Sequence, residues 1–130
     1  MALQLIRTIP GIGKVLSLVI LYEIQDVRRF AQVGNFISYA RLVKCSHESA
    51  GKRLGSGGKK IGNPNLKWAF SEATLLLMRQ LPKAKAHVET LAKKHGKGKA
   101  LSILSARLAR TVYLMLKRQQ PFEEARFLKQ

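Results

Sequence analysis

Leu5-Ile6-Arg7-Thr8-Ile9-Pro10-Gly11-Ile12-Gly13-Lys14 is the stretch on which the reading of this chain turns. A short apolar segment, with Leu3, Leu5 and Ile6, stops at Thr8. A hydrophobic-Gly-hydrophobic-Gly turn follows. Val15, Leu16, Leu18, Val19, Ile20 and Tyr22 then carry an apolar run from Lys14 to Gln25. The β-branched residues in that run make a strand conceivable, but its length favours a helix. Helix, glycine turn, helix is the pattern of a helix-hairpin-helix. Its glycines permit tight backbone geometry, and its second helix opens on N–H groups that have no intrahelical partner. Such a hairpin grips a phosphate through its backbone and reads no base. Gly11, Gly13 and Lys14 are therefore candidate nucleic-acid contacts. The alternative is a plain αα-hairpin whose glycines serve only packing. The helix after the turn is apolar nearly all round, which predicts burial.

Working outward, Asp26 is a candidate N-cap for a short turn through Phe30. Phe36, Ile37, Tyr39 and Ala40 share one face of the next helix. The stretch 43–62 then holds five of the ten glycines and five basic residues (Lys44, Lys52, Arg53, Lys59, Lys60) against Glu48 alone. It reads as a glycine-rich basic loop and not as a core element. Asn63 or Asn65 caps a periodic helix from Leu66 to Met78 that ends before Pro82. Pro82 opens another helix, with Val88, Leu91 and Ala92 inward, and Gly96 and Gly98 break it. The last long helix runs from about Lys99 to Gln119, with Leu104, Leu108, Val112 and Met115 on one side. Pro121 ends it, and a short helical tail closes the chain. The predicted fold is all-α: a helix-hairpin-helix region (1–42), a basic Gly-rich loop (43–62) and a small helical bundle (63–130), together one domain.

Composition sets the partner class. The 130 residues include 24 Lys and Arg against 7 Asp and Glu, a formal charge of +17, while 46% of the residues are hydrophobic. A folded chain with that charge calls for a polyanion. Nucleic acid leads and an anionic membrane surface is the rival. The longest apolar stretch, Val15 to Tyr22, falls far short of the roughly 20 residues that span a bilayer, so no membrane is expected and the location is read as cytoplasmic. Cys45 is the lone cysteine, and His47, His87 and His95 are scattered, so no metal site is expected.

The loop motifs fail as a nucleotide site. Gly58-Lys59 is followed by Lys60 where a phosphate loop needs Ser or Thr, and Arg53 stands where that loop needs its first glycine. A phosphate-tracking loop remains, with Lys44, Lys52, Arg53, Lys59, Lys60 and, just beyond it, Lys67 as contacts. A serine within it is a remoter candidate to attack a phosphodiester among those cations. The later lysines, from Lys83 to Lys99, read either as a solvated face or as a phosphate-facing patch. Trp68, Phe70, Tyr113 and Phe122 read as core packing.

Taken in order, several motifs carry a resemblance: residues 5–13, Asp26-Val27-Arg28-Arg29-Phe30, Ser38-Tyr39-Ala40-Arg41-Leu42-Val43, Glu48-Ser49-Ala50-Gly51-Lys52, Lys60-Ile61-Gly62-Asn63 and Leu66-Lys67-Trp68-Ala69-Phe70. The order resembles the C-terminal domain of the 110/1111 group of insertion-sequence transposases. The tail from His95 to Tyr113 also looks like members of that group. The resemblance implies a site-specific DNA recombinase with a composite active site. An N-terminal RuvC-like domain supplies acidic residues that bind magnesium, and the C-terminal domain supplies a nucleophilic serine. That serine falls on Ser49. The motif here is Ser49-Ala50-Gly51 rather than a direct Ser-Gly, so Ser46 and Ser56 stay as alternatives.

The resemblance sets further expectations. The RuvC-like domain is read as absent, so this chain alone is expected to bind DNA without cutting it, and magnesium is expected only with the missing domain. DNA is the expected partner. A structured guide RNA and a second copy of the chain remain open, with Ile20, Leu21 and Tyr22 as candidates for an associating surface. The alternative function is a structural RNA-binding protein of ribosomal type.

Overall fold

A computed structural model of the chain describes residues 2–42 and 62–129. Among them are seven α-helices, a short 3₁₀ turn and no strand. In chain order they are α1 (Ala2–Ile6), α2 (Lys14–Ile24), the 3₁₀ turn Val27–Arg29, α3 (Val33–Tyr39), α4 (Pro64–Gln80), α5 (Pro82–His95), α6 (Lys97–Arg118) and α7 (Glu124–Lys129). The all-α expectation holds, and the stops fall where local chemistry puts them. The Asp26 carboxylate accepts the Arg28 backbone N–H at 2.9 Å, which is the cap expected for the 3₁₀ turn. The Arg28 guanidinium bonds the same carboxylate and draws it down to about 2. Asn63, not Asn65, caps α4: its Oδ1 accepts from Leu66 N–H at 3.0 Å. Pro82 forces Leu81 into an extended conformation, so Leu81 ends α4 and starts α5.

One boundary differs from expectation. Gly96 alone separates α5 from α6, with φ of 89°, a region that residues with a Cβ rarely adopt. Gly98 lies inside α6, which begins two residues earlier than expected.

Helix α6 is the spine. It packs against α1, α3, α4, α5, α7 and the 3₁₀ turn. Its buried residues, among them Ala100, Leu104, Leu108, Val112, Tyr113 and Leu116, sweep more than half of the helix circumference at about 100° per residue. A helix buried on so wide an arc cannot leave its partners without exposing most of the core. Phe36 of α3 sits at the centre, fully buried, with its ring 5.3 Å from Phe30, 6.0 Å from Phe70 and 5.8 Å from Tyr113. The buried Tyr113 hydroxyl donates to the Phe30 carbonyl at 2.7 Å, binding α6 to the end of the 3₁₀ turn. Buried polar groups are satisfied: Thr74 Oγ1 and Ser105 Oγ bond at 2.9 Å across the α4–α6 contact, and Ser17 donates to the Gly13 carbonyl.

Helix α2 departs from the expectation of burial. Leu16, Ser17, Ile20 and Ile24 face the core, whereas Val15, Leu18 and Tyr22 are 73%, 46% and 76% exposed. Uniform apolarity around a helix says nothing about which face has neighbours, and among the described elements α1 and α4 pack most closely on α2. Trp68 is likewise 53% exposed where core packing was expected, while Phe70 and Tyr113 are buried as read.

Replacing Tyr113 with Phe strips the bond to the Phe30 carbonyl and keeps the ring. Urea denaturation is expected to show a loss of about 1–2 kcal/mol with an unchanged slope. Phe36→Ala, which removes the central ring, is expected to cost about 3–5 kcal/mol by the same measurement.

Candidate nucleic-acid interface

The turn between α1 and α2 is a series of short backbone bonds: Thr8 N–H to Leu5 O, Ile9 N–H to Ile6 O and Ile12 N–H to Ile9 O. Ile6, Ile9 and Ile12 anchor it in the core. The two glycines, paired in the sequence reading, have different surroundings. Gly11 has φ of 87°, and a Cβ there would stand 2.6 Å from the Leu76 carbonyl oxygen of α4. Its lack of a side chain lets the turn lie against α4. Gly13 has nothing within 4 Å of a built Cβ and is the N-cap of α2, with no side-chain cap bond. The first intrahelical bond of α2 runs from Ser17 N–H to Gly13 O at 3.1 Å. The amides of Lys14, Val15 and Leu16 therefore stand ahead of the hydrogen-bonded ladder. Gly11, Gly13 and Lys14 are all exposed; packing accounts for Gly11, while Gly13 and Lys14 stand at the positive end of a helix dipole.

Lys67 does not join them. Helices α2 and α4 run antiparallel: Glu23 meets Asn63 and Asn65 at one end, and Gly11 meets Leu76 toward the other. Lys14, at the start of α2, and Lys67, near the start of α4, stand toward opposite ends of the pair. Lys44, Ser49, Lys52, Arg53, Lys59 and Lys60, with Ser46 and Ser56, lie outside the described residues.

The residues flanking that segment are tied together by a polar cluster that sequence reading missed. Asn63 N–H donates to the Tyr39 carbonyl at 2.6 Å. Asn63 Nδ2 donates to Glu23 Oε1 at 2.7 Å and to the Tyr39 hydroxyl at 3.2 Å, and Asn65 Nδ2 donates to Glu23 Oε2 at 3.1 Å. The Arg29 guanidinium lies 5.1 Å from the ring centres of both Phe30 and Tyr39. Hydrogen bonds from Asn63 and then Arg29 hold the Tyr39 hydroxyl below its usual range. The chain therefore leaves α3 and enters α4 at one place, where Asn63 bonds Tyr39 of α3 and Glu23 of α2. Nothing in sequence spacing signals a bond across 40 residues.

A second missed pair joins α5 to α6. Arg107 Nη1 lies 2.9 Å from His87 Nε2. Arginine has only donors, so Nε2 accepts and the imidazole is neutral with its proton on Nδ1. Burial, and then the Arg107 charge, push His87 below its usual value.

A magnesium site does not fit these residues. Among the described residues, no three His, Cys, Asp or Glu side chains gather to hold a metal ion. Glu23 bonds two asparagines and Asp26 bonds Arg28. No helix among the described residues is long and apolar enough to cross a membrane.

In comparison with known proteins, residues 3–89 match the family profile described as Transposase IS116/IS110/IS902 family. The matched span runs from α1 into α5 and takes in the turn and loop contacts named from the sequence and Lys67, while Lys93, Lys94, Lys97 and Lys99 lie beyond it. The resemblance read in the tail, from His95 to Tyr113, lies beyond it. No curated protein and no solved structure matches the chain.

The two glycines separate experimentally. Gly11→Ala is expected to destabilise the chain by more than about 1 kcal/mol, through strain at positive φ and collision with Leu76. Gly13→Ala is expected to leave thermal unfolding nearly unchanged, so any fall in duplex affinity there reports on the contact itself.

His87 adds a pH dependence. Its folded value lies below the ordinary 6.5, so the unfolded chain binds protons first as pH falls. The stability is full above that ordinary value and declines below it. Urea midpoints are expected to fall on acidification, and His87→Gln, which keeps an acceptor for Arg107, is expected to flatten that decline.

Proposed function

From the premise that this chain belongs to the transposase IS116/IS110/IS902 family, we propose that it is the DNA-binding, serine-bearing domain through which a transposase grips and exchanges strands. The observation that carries the reading is the matched span itself, which contains the Gly11-to-Lys14 turn and Ser49. The ribosomal alternative has no support from the comparison.

In this reading the start of α2, with Gly13 and Lys14, holds a phosphate through backbone amides and one lysine charge. The segment with Lys44, Lys52, Arg53, Lys59 and Lys60 follows the strand, and Lys67 adds a contact at its far side. The Ser49 hydroxyl attacks phosphorus and displaces a sugar hydroxyl. One P–O ester bond forms as another breaks, and the serine proton is lost to a base. The linkage is kept as a protein–DNA ester and is reversible, which is what strand exchange needs. The described residues provide no acidic cluster for a metal, so we assign that role to a separate acidic domain. The chain alone binds and does not cut.

A structured guide RNA and a further copy of the chain are the additional partners in this proposal. The exposed Val15, Leu18, Tyr22, Trp68 and Leu75 all lie on the adjacent helices α2 and α4, and this apolar strip supports a protein neighbour there.

Gel-shift titration of the chain against duplex DNA, single-stranded DNA and structured RNA tests the binding. Wild type and Ser49→Ala are expected to bind duplex DNA equally, and denaturing gels are expected to show no covalent adduct from the chain alone. An adduct should appear once an acidic metal-binding domain is supplied, and Ser49→Ala should abolish it. An adduct from the chain alone overturns the assigned division of labour. One that survives Ser49→Ala overturns the serine assignment. Exclusive binding to structured RNA overturns the DNA reading.

A further inference from the structure

The corner where α5 turns into α6 lies outside the family-matched residues and includes none of the contacts assigned above. Its sequence is Lys93-Lys94-His95-Gly96-Lys97-Gly98-Lys99, and all seven residues are exposed. None of the seven is acidic. Among the described residues, the ion pairs join Arg28 to Asp26 and Arg126 to Glu123, so these four lysines have no carboxylate partner within ion-pair distance. The corner is nonetheless firmly built. Ala84 and Val88 below it on α5, and Ala100 and Leu104 beyond it on α6, are buried. Gly96 and Gly98 have nothing within 4 Å of a built Cβ, so a broad partner can approach the backbone between the lysines.

A fixed cluster of unpaired cations on a chain of charge +17 is electrostatically unfavourable until an anion of matching extent covers it. We infer that the α5–α6 corner is a second contact of this chain for the phosphate backbone of double-stranded DNA, one that is indifferent to sequence. Lysine is a compact point charge without the planar fork that reads a guanine edge. The corner has no Phe, Tyr or Trp, and the exposed Tyr22 and Trp68 are on α2 and α4, so His95 is its one stacking ring and the corner lacks the large aromatic platforms that hold successive unpaired bases. A contact here, added to the one at the start of α2, raises the number of phosphates the chain neutralises. This inference rests on the DNA-binding reading above and adds a place to it.

The test uses the whole chain and a short duplex of arbitrary sequence, titrated by fluorescence anisotropy at a series of salt concentrations. The variant is K93A/K94A/K97A/K99A, with a lysine-to-arginine quadruple variant as the charge-preserving control. Alanine is favoured in helices and all four side chains are exposed, so the helical circular dichroism signal should be kept. Four lost phosphate contacts are expected to reduce the log–log salt slope by roughly 3 to 4 and to weaken binding at least about tenfold at moderate salt. Preferences among duplex sequences should be unchanged, and the arginine variant should bind as wild type does. An unchanged slope in the folded alanine variant overturns the corner while leaving the Gly13–Lys14 contact standing. A loss confined to structured RNA, or to phosphatidylserine vesicles, overturns duplex DNA as the partner. If wild type binds no duplex at all, the underlying reading falls with it.

Discussion

Burial of α6 over most of its circumference is the constraint from which the rest of the arrangement follows. A 22-residue helix is about 33 Å long at 1.5 Å per residue, enough to run the full depth of a small domain. Its neighbours each cover one sector of it. α4 and α5 flank it, α3 inserts Phe36 against Tyr113, α1 and the 3₁₀ turn close the next sector, and α7 covers the end. The Thr8 hydroxyl accepts the Phe122 N–H at 2.8 Å, so even the N-terminal turn is tied to the segment that follows α6. Apolar contact dominates this assembly. One central phenylalanine outweighs one buried hydrogen bond by a factor of two or more, and the polar bonds act chiefly to select which helix faces meet.

Helix α2 reaches the core through Leu16, Ile20 and Ile24 without packing closely on α6, and its placement explains the surface. Because it packs mainly on α1 and α4, its outer face stays open, with Val15, Leu18 and Tyr22 toward solvent. The two helices that expose the large apolar side chains have charged residues of both signs: Lys14, Lys67 and Arg79 against Glu23 and Glu72. The α5–α6 hairpin is strongly cationic, with Glu89 as its lone acid. Apolar exposure and positive charge are thus separated onto different helix pairs.

Much of this was legible in the chain. Proline, glycine, asparagine and aspartate act on their own backbone or on residues within one turn, so the caps at Asp26 and Asn63, the break at Leu81-Pro82 and the turn at Gly96 follow from local chemistry. The helical class and the inward positions Leu104, Leu108, Val112 and Met115 follow from periodicity. The exposed side of α2 was not legible, since a helix apolar on all faces has no pattern from which to choose one. Nor was the split between Gly11 and Gly13, which look equivalent in the motif and differ because Gly11 takes a positive φ and Leu76, 65 positions on, passes beside it.

What the sequence by itself determined, then, was the helices, most of their ends, the excess of cations and the family, because each depends on residue identity or on spacing within a few turns. The tertiary structure alone decided which apolar residues face water, that Glu23, Tyr39 and Asn63 meet at the junction of α3 and α4, and that His87 is neutral beside Arg107. These depend on contacts across 20 to 40 residues, and such contacts are set by how whole helices pack around α6. The same division applies to the glycine turn that opens the chain. Its residues announced a tight turn, and the passage of α4 beside it gave Gly11 a packing role that Gly13 does not share.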